Sequence, residues 1–247
     1  MFNLICQNLE FNYPQNPDFR LTIPELTCSL DVPLGIYGLI GSGKSTFGKI
    51  LGGLLTPASG SWRFETSGST AKLAPRVLYL PQFPEQIFLG MSIGNALKKM
   101  LKEHSAETNP VTLFADNLKL FGLDYDRISG RYGYELSAGE LRLATIALGL
   151  TIAPELTIFD EPTIALSRSA RERFSDKIGA FSAKKTLIII THDYHLIRKL
   201  CPSVIIFEQG KILFKGKWQE LDQNSAVIQA IGLALLDKIN QRNGGNE

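Results

Sequence analysis

The stretch Gly38-Leu39-Ile40-Gly41-Ser42-Gly43-Lys44-Ser45-Thr46 directly follows the short apolar run Gly35-Ile36-Tyr37 and fits the pattern G-x-x-x-x-G-K-[ST]. Few patterns constrain a fold as tightly. Its glycines let the backbone wrap a phosphate and aim N–H groups inward, and a following helix brings its positive dipole end to the same point. The pattern therefore demands strand, loop and helix in that order. Lys44 is expected to reach the β- and γ-phosphates of a nucleotide, and the Ser45 hydroxyl to ligate magnesium. Taken alone, the motif serves kinases, GTPases, motors and transport ATPases equally.

The rest of the chain supplies a sheet for this unit. Residues 77–80, 156–159 and 187–190 are short, continuous apolar runs, which suit strands buried on both faces of a parallel sheet. A polar helical stretch at 167–181 gives a β-α-β reading, and 204–207 with 211–214 reads as a closing hairpin. The N-terminal segment alternates instead. Leu9, Phe11 and Tyr13 share one parity and Leu26, Cys28, Leu30 and Val32 another, with a turn at 14–18 and Cys28 expected in the core. Between Gln82 and Leu136 the pattern is mainly helical, notably at 93–101 and 111–121. In the tail, Ile228, Ile231, Leu235 and Ile239 predict an amphipathic helix packed on the body. The expected fold is α/β of the P-loop NTPase type. A mainly parallel core sheet and an N-terminal antiparallel β subdomain occupy 1–82 and 151–247, an inserted α-helical subdomain occupies 83–150, and a C-terminal helix spans 225–241.

Two further clusters carry chemistry. Leu156-Thr157-Ile158-Phe159-Asp160-Glu161 ends an apolar strand in two carboxylates. Asp160 is placed to hold a magnesium shell, and Glu161 to polarise a water for in-line attack on a γ-phosphate or to act as its base. Charges also mark ordinary strand exits, so the pair gains its meaning beside the phosphate loop. Leu136-Ser137-Ala138-Gly139-Glu140 opens a long helical pattern, with Ser137 and Glu140 at capping-box spacing. A capped helix start is also an anion site. The phosphate loop already serves the chain's own nucleotide, so this second site points to a phosphate held elsewhere.

Composition removes other classes. Lys plus Arg number 26 against 24 Asp plus Glu, which leaves no electrostatic basis for nucleic-acid binding, and 44% hydrophobic content opposes chain-wide disorder. Cys6, Cys28 and Cys201 are scattered and odd in number, which fits a reducing compartment and argues against a disulfide framework or a zinc site. Neither a secretory leader nor a run of about 20 apolar residues is visible, so the chain is expected not to cross a membrane.

The phosphate loop, Gln82 after a strand, the 136–140 segment, the Asp160-Glu161 pair and His192 occur in the order found in ATP-binding-cassette (ABC) transporters. From about Phe2 to Gly216 the chain resembles their nucleotide-binding subunits. Pro84-Glu85-Gln86-Ile87-Phe88 is similar to the corresponding segment of energy-coupling-factor and cobalt- or biotin-type importers. The resemblance implies a magnesium-dependent ATP hydrolase working as a head-to-tail dimer. Each ATP would lie between 38–46 of one protomer and Ser137, Ala138, Gly139 and Glu140 of the other. Tyr13 would stack on adenine, and Gln82 would meet the magnesium or the attacking water. His192 would bond the γ-phosphate and position Glu161. A groove around the helical insert would pass the motion to separate membrane subunits, placing the chain peripherally at the cytoplasmic face of the cell membrane. A vitamin or metal-ion importer is the implied system. The alternative is a soluble ABC ATPase with a non-transport role, whose relatives typically carry coiled-coil insertions, a second cassette or basic surfaces. A small-molecule phosphotransferase would leave the 136–140 segment and His192 unexplained.

Three positions, two in the signature and one in the loop after Glu161, depart from the family pattern. Ala138 and Glu140 stand where glycine and glutamine are usual, and Ser167 replaces an aspartate that senses the opposite site. Lys44, Ser45, Gln82, Asp160, Glu161 and His192 all match. The asymmetry leads to the expectation of a heterodimer whose partner supplies a standard signature. Tolerance of alanine in a homodimer is the alternative, because a backbone anion site depends little on the side chain.

Overall fold

The computed structural model describes residues 2–66, 75–104, 109–182 and 185–232. Strands β1 (Phe2–Tyr13), β2 (Asn16–Ser29) and β4 (Ser59–Thr66) form an antiparallel sheet in the order β2-β1-β4. Strands β3 (Leu34–Tyr37), β5 (Val77–Leu80), β6 (Leu156–Asp160), β7 (Thr186–Thr191), β8 (Ser203–Glu208) and β9 (Lys211–Lys217) form a second sheet in the order β5-β6-β7-β3-β8-β9. Its first five strands run parallel, and β9 returns antiparallel along β8.

Helix α1 (Lys44–Leu51) follows β3. Helices α2 (Ile93–His104), α3 (Pro110–Leu120), α4 (Tyr125–Ile128) and α5 (Ala138–Ile152) stand between β5 and β6. Helices α6 (Arg168–Ser182) and α7 (Tyr194–Leu200) precede β7 and β8, and α8 (Trp218–Asp222) and α9 (Ser225–Ala230) follow β9.

Side-chain parity explains why the central strands are apolar throughout. Leu156, Ile158, Ile188, Ile190, Ile205 and Phe207 point to the face covered by the N-terminal strands and by Phe47, Ile50 and Leu51 of α1. Phe159, Leu187, Ile189, Val204 and Ile206 point to the opposite face, covered by α2, α3, α5, α6 and α7. Both faces are dry, so the alternation of a half-exposed strand is absent here. Helix α5 is buried nearly all round, from Leu141 to Ile152, as befits a helix wedged into the core rather than laid on it.

The parallel direction positions the site. The carboxyl ends of β3, β5, β6 and β7 lie on one edge of the sheet, where ligands of open α/β folds gather. The phosphate loop, Gln82, Glu161 and His192 follow those ends, and Asp160 is the last residue of β6.

Three local expectations are corrected. The first turn is tighter than 14–18: Tyr13 pairs with Asn16 across Pro14-Gln15 alone, at an irregularity in the register. Cys28 is half-buried, while Cys6 and Cys201 are the fully buried thiols. β2 ends at Ser29 before the alternation runs out, so Val32 lies beyond it and is exposed. Of the expected C-terminal helix, α9 and the buried Ile231 are present. The positions from 233 onward lie outside the described residues.

Candidate functional site

The phosphate loop needs its glycines for two different reasons. A Cβ on Gly38 would sit 2.3 Å from the Phe207 carbonyl oxygen, so the loop can press on β8 only without a side chain there. Gly43, the N-cap of α1, has φ of 103°, a left-handed conformation that L side chains rarely adopt. Leu39 and Ile40 are exposed on the loop's outer turn, and Ser42 and Thr46 are buried. The loop borders a cleft of about 270 Å³ lined by Tyr13, Phe19, Gly41, Gly43, Lys44 and Ser45, among others. In it, the Tyr13 hydroxyl lies 3.1 Å from Thr46 Oγ1, and the ring leans on Phe19 at 5.7 Å between centroids.

Lys44 is buried, and its Nζ donates to the Leu39 carbonyl at 2.8 Å. Burial pushes its pKa below the ordinary lysine value, with Glu161 and Asp160 pulling the other way. Ser45 Oγ donates to Asp160 Oδ1 at 3.0 Å, and the Tyr79 hydroxyl donates to Oδ2 at 2.5 Å. Burial raises the Asp160 pKa against the effect of these two bonds. The structure thus joins the phosphate loop to the first carboxylate through Ser45.

Glu161 follows at once, with φ of 48°. A non-glycine residue in that region costs roughly 1–2 kcal/mol, and such strain persists where surrounding contacts enforce it. Here the enforcing contacts come from the end of β7. Thr191 Oγ1 donates to Glu161 Oε2 at 2.8 Å, His192 N–H donates to Oε1 at 3.0 Å, and His192 Nδ1 lies 2.7 Å from Oε1. Asp193 then caps α7 by accepting from Leu196 N–H.

Gln82 joins the site through its backbone. The buried Arg142 of α5 donates to the carbonyls of Pro81 and Gln82. Its Nε has no hydrogen-bond partner, and burial lowers its pKa.

In the 136–140 segment Leu136 is buried, while Ser137 and Ala138 are exposed. Ser137 caps α5 and is closed reciprocally. Glu140 N–H donates to Ser137 Oγ at 3.2 Å, while Glu140 Oε2 accepts from Ser137 N–H at 3.0 Å and from Ser137 Oγ at 2.9 Å. These bonds hold the Glu140 carboxyl below its usual pKa. Ser167 is likewise used as a cap, accepting from Ala170 N–H at 3.3 Å at the start of α6.

A family model described as "ABC transporter" matches residues 21–164, more than half of the chain. The chain belongs to the ABC transporter family. It is 30% identical over 204 residues to the energy-coupling factor transporter ATP-binding protein EcfA2 of Thermotoga maritima, covering 81% of this chain and 74% of that protein. The fold is similar to a solved ATP-binding subunit of an ABC transporter, at a TM-score of 0.76 and 19% identity, covering 94% and 99% of the two chains. It is also similar to a dimeric ATP-binding cassette bound to ADP and phosphate in a post-hydrolysis state, at a TM-score of 0.72 and 22% identity, covering 87% and 98%. Members of the ABC family are ATP-binding ATPases of the P-loop class.

The donor set fits magnesium and a nucleotide. Among the described residues no three His, Cys, Asp or Glu side chains converge on a common point. A hard cation at Ser45 and Asp160 would therefore share its shell with phosphate oxygens and water, as magnesium does. Reading the sequence missed four site residues. Phe19, Tyr79, Arg142 and Thr191 carry no motif, and only the approach of β2, β5, α5 and β7 to the loop reveals them.

Proposed function

We propose that this ABC chain is the ATP-hydrolysing motor subunit of a transporter, acting as one half of a head-to-tail cassette dimer on separate membrane subunits. The observation that carries the reading is the continuous set of contacts Ser45–Asp160 and Glu161–Thr191–His192 at one sheet edge. Gly38, Leu39, Ile40, Gly41, Ser42, Gly43, Lys44, Ser45 and Thr46 wrap the phosphates, and Tyr13 takes the adenine in the adjoining cleft. Magnesium, held by Ser45, Asp160 and the Gln82 loop, would neutralise charge on the β- and γ-phosphates. Lys44 turns from the Leu39 carbonyl to the γ-phosphate. Glu161 accepts the proton of the attacking water, and His192 holds its carboxylate and bonds the γ-phosphate.

Ser137, Ala138, Gly139 and Glu140 would meet the ATP of the opposite cassette. Glu140 lays a carboxylate on the seat meant for that γ-phosphate. This supports a heterodimer whose partner cassette supplies an uncharged signature to the site of this chain. The likeness to EcfA2 supports a vitamin or metal-ion importer and a peripheral place at the cytoplasmic membrane face. No described helix is long and apolar enough to cross a membrane, which fits transport through other chains.

The test is purification of the natively tagged chain in mild detergent, with mass-spectrometric identification of what accompanies it. Polytopic membrane proteins and a second cassette are expected. Recovery of soluble proteins alone, where a control transporter stays intact, would overturn the transport reading.

A further inference from the structure

Among the described residues, the hydroxyl of Tyr79 is a donor to Asp160 that the reaction above leaves without a role. Its bond to Oδ2 is shorter than the Ser45 bond to Oδ1, 2.5 Å against 3.0 Å. Asp160 is 1% exposed, so these two donors decide how its carboxylate is turned. A hydroxyl bonded to an ionised oxygen at this length belongs to the strong class of hydrogen bonds.

The ring has a fitted seat. Gly48 and Gly52 lie one turn apart on α1 and its C-cap. A Cβ on Gly52 would come 2.9 Å from Tyr79 Cβ, and one on Gly48 would come 3.3 Å from Tyr79 Cε2 and 2.2 Å from Ile190 Cδ1. The helix that begins with Lys44 and Ser45 thus also clears the surface on which the tyrosine lies. Burial and the neighbouring Asp160 both push the Tyr79 pKa upward, so the phenol remains a donor.

We propose that Tyr79 is a positioning residue of the magnesium site, its hydroxyl fixing Oδ2 of Asp160 so that Oδ1 stays turned to Ser45 and the metal. The inference rests on the nucleotide reading given above. Groups that orient metal-binding carboxylates typically govern metal affinity about ten- to a hundredfold.

Tyr79→Phe leaves the ring in its seat and removes the hydroxyl alone. The measurement is calorimetric ATP binding in a Glu161→Gln background, once with excess EDTA and once with saturating magnesium. The expected result is an affinity in EDTA within about twofold of the parent, and a magnesium-dependent tightening reduced about tenfold. Tyr79→Met, which also lacks a donor, is expected to lose the same tightening. Unchanged tightening in both variants overturns the inference. An equal loss of affinity with and without magnesium overturns it too, because that marks a purely structural ring. Failure of the underlying reading looks different: the parent carrying Tyr79 would bind ATP in neither condition, and the inference would fall with it.

Discussion

Two helices of this molecule begin at candidate phosphate sites, and they are finished in opposite ways. At α1 the N-cap is Gly43, with no side-chain cap, and the first turn carries the buried Lys44. At α5 the N-cap Ser137 is taken up by Glu140, which occupies both its N–H and its hydroxyl. The first end offers backbone donors, and a cation that rests on the Leu39 carbonyl, to an incoming anion. The second already carries an anion of its own. An N-terminus is thus left open to an anion or closed by an anion of its own according to one neighbouring side chain.

The largest effect is expected at Glu161, beside the open end. Glu161→Gln should retain ATP binding and lose turnover by about 10²- to 10⁴-fold, the usual worth of a general base. Turnover near the parent rate would remove Glu161 from that role. Next comes Lys44→Ala, which strips the cation from the open end. Equilibrium ATP affinity should fall on the order of a hundredfold, since the phosphates would lose a buried charge partner. His192→Ala removes one of three contacts to the Glu161 carboxylate. Single-turnover hydrolysis should slow about tenfold, in line with the loss of a hydrogen bond to a charged group, with ATP affinity changing far less.

The smallest effect is expected at the closed end. Glu140→Gln keeps a capping-box residue, so thermal stability should hold to within about 0.5 kcal/mol. Removing the charge from the α5 terminus should strengthen ATP-dependent closure two- to fivefold, roughly the worth of a charge at a helix end. Weaker closure in an analytical ultracentrifuge would mean that the carboxylate assists the interface.

The open end was the more legible of the two. The glycine spacing around Lys44 states its own requirement, and 156–161 states a buried strand ending in two acids. Parallel strands then carry the phosphate loop, Gln82, the acidic pair and His192 to one sheet edge, so linear order becomes spatial proximity. Glu140 was legible as a cap but not as an obstacle, because its carboxylate matters only once it lies on Ser137 Oγ. Ser167 was likewise visible as a departure, while its use as the α6 cap needed the geometry. Tyr79 and Arg142 left no trace in the sequence. One reads as an ordinary strand aromatic and the other as a helix cation, and their roles arise from contacts across 81 and 60 positions. Val32 misled because parity predicts a face only while a strand lasts, and β2 ends at Ser29.

A cassette with a complete hydrolytic half-site of its own and a signature closed by Glu140 needs a partner to close on ATP. Light scattering of the Glu161→Gln protein in magnesium and ATP reads this out. A monomer is expected when the chain is alone, and a dimer when a second cassette with an uncharged signature is added. A stable ATP-bound homodimer of the isolated chain would contradict it.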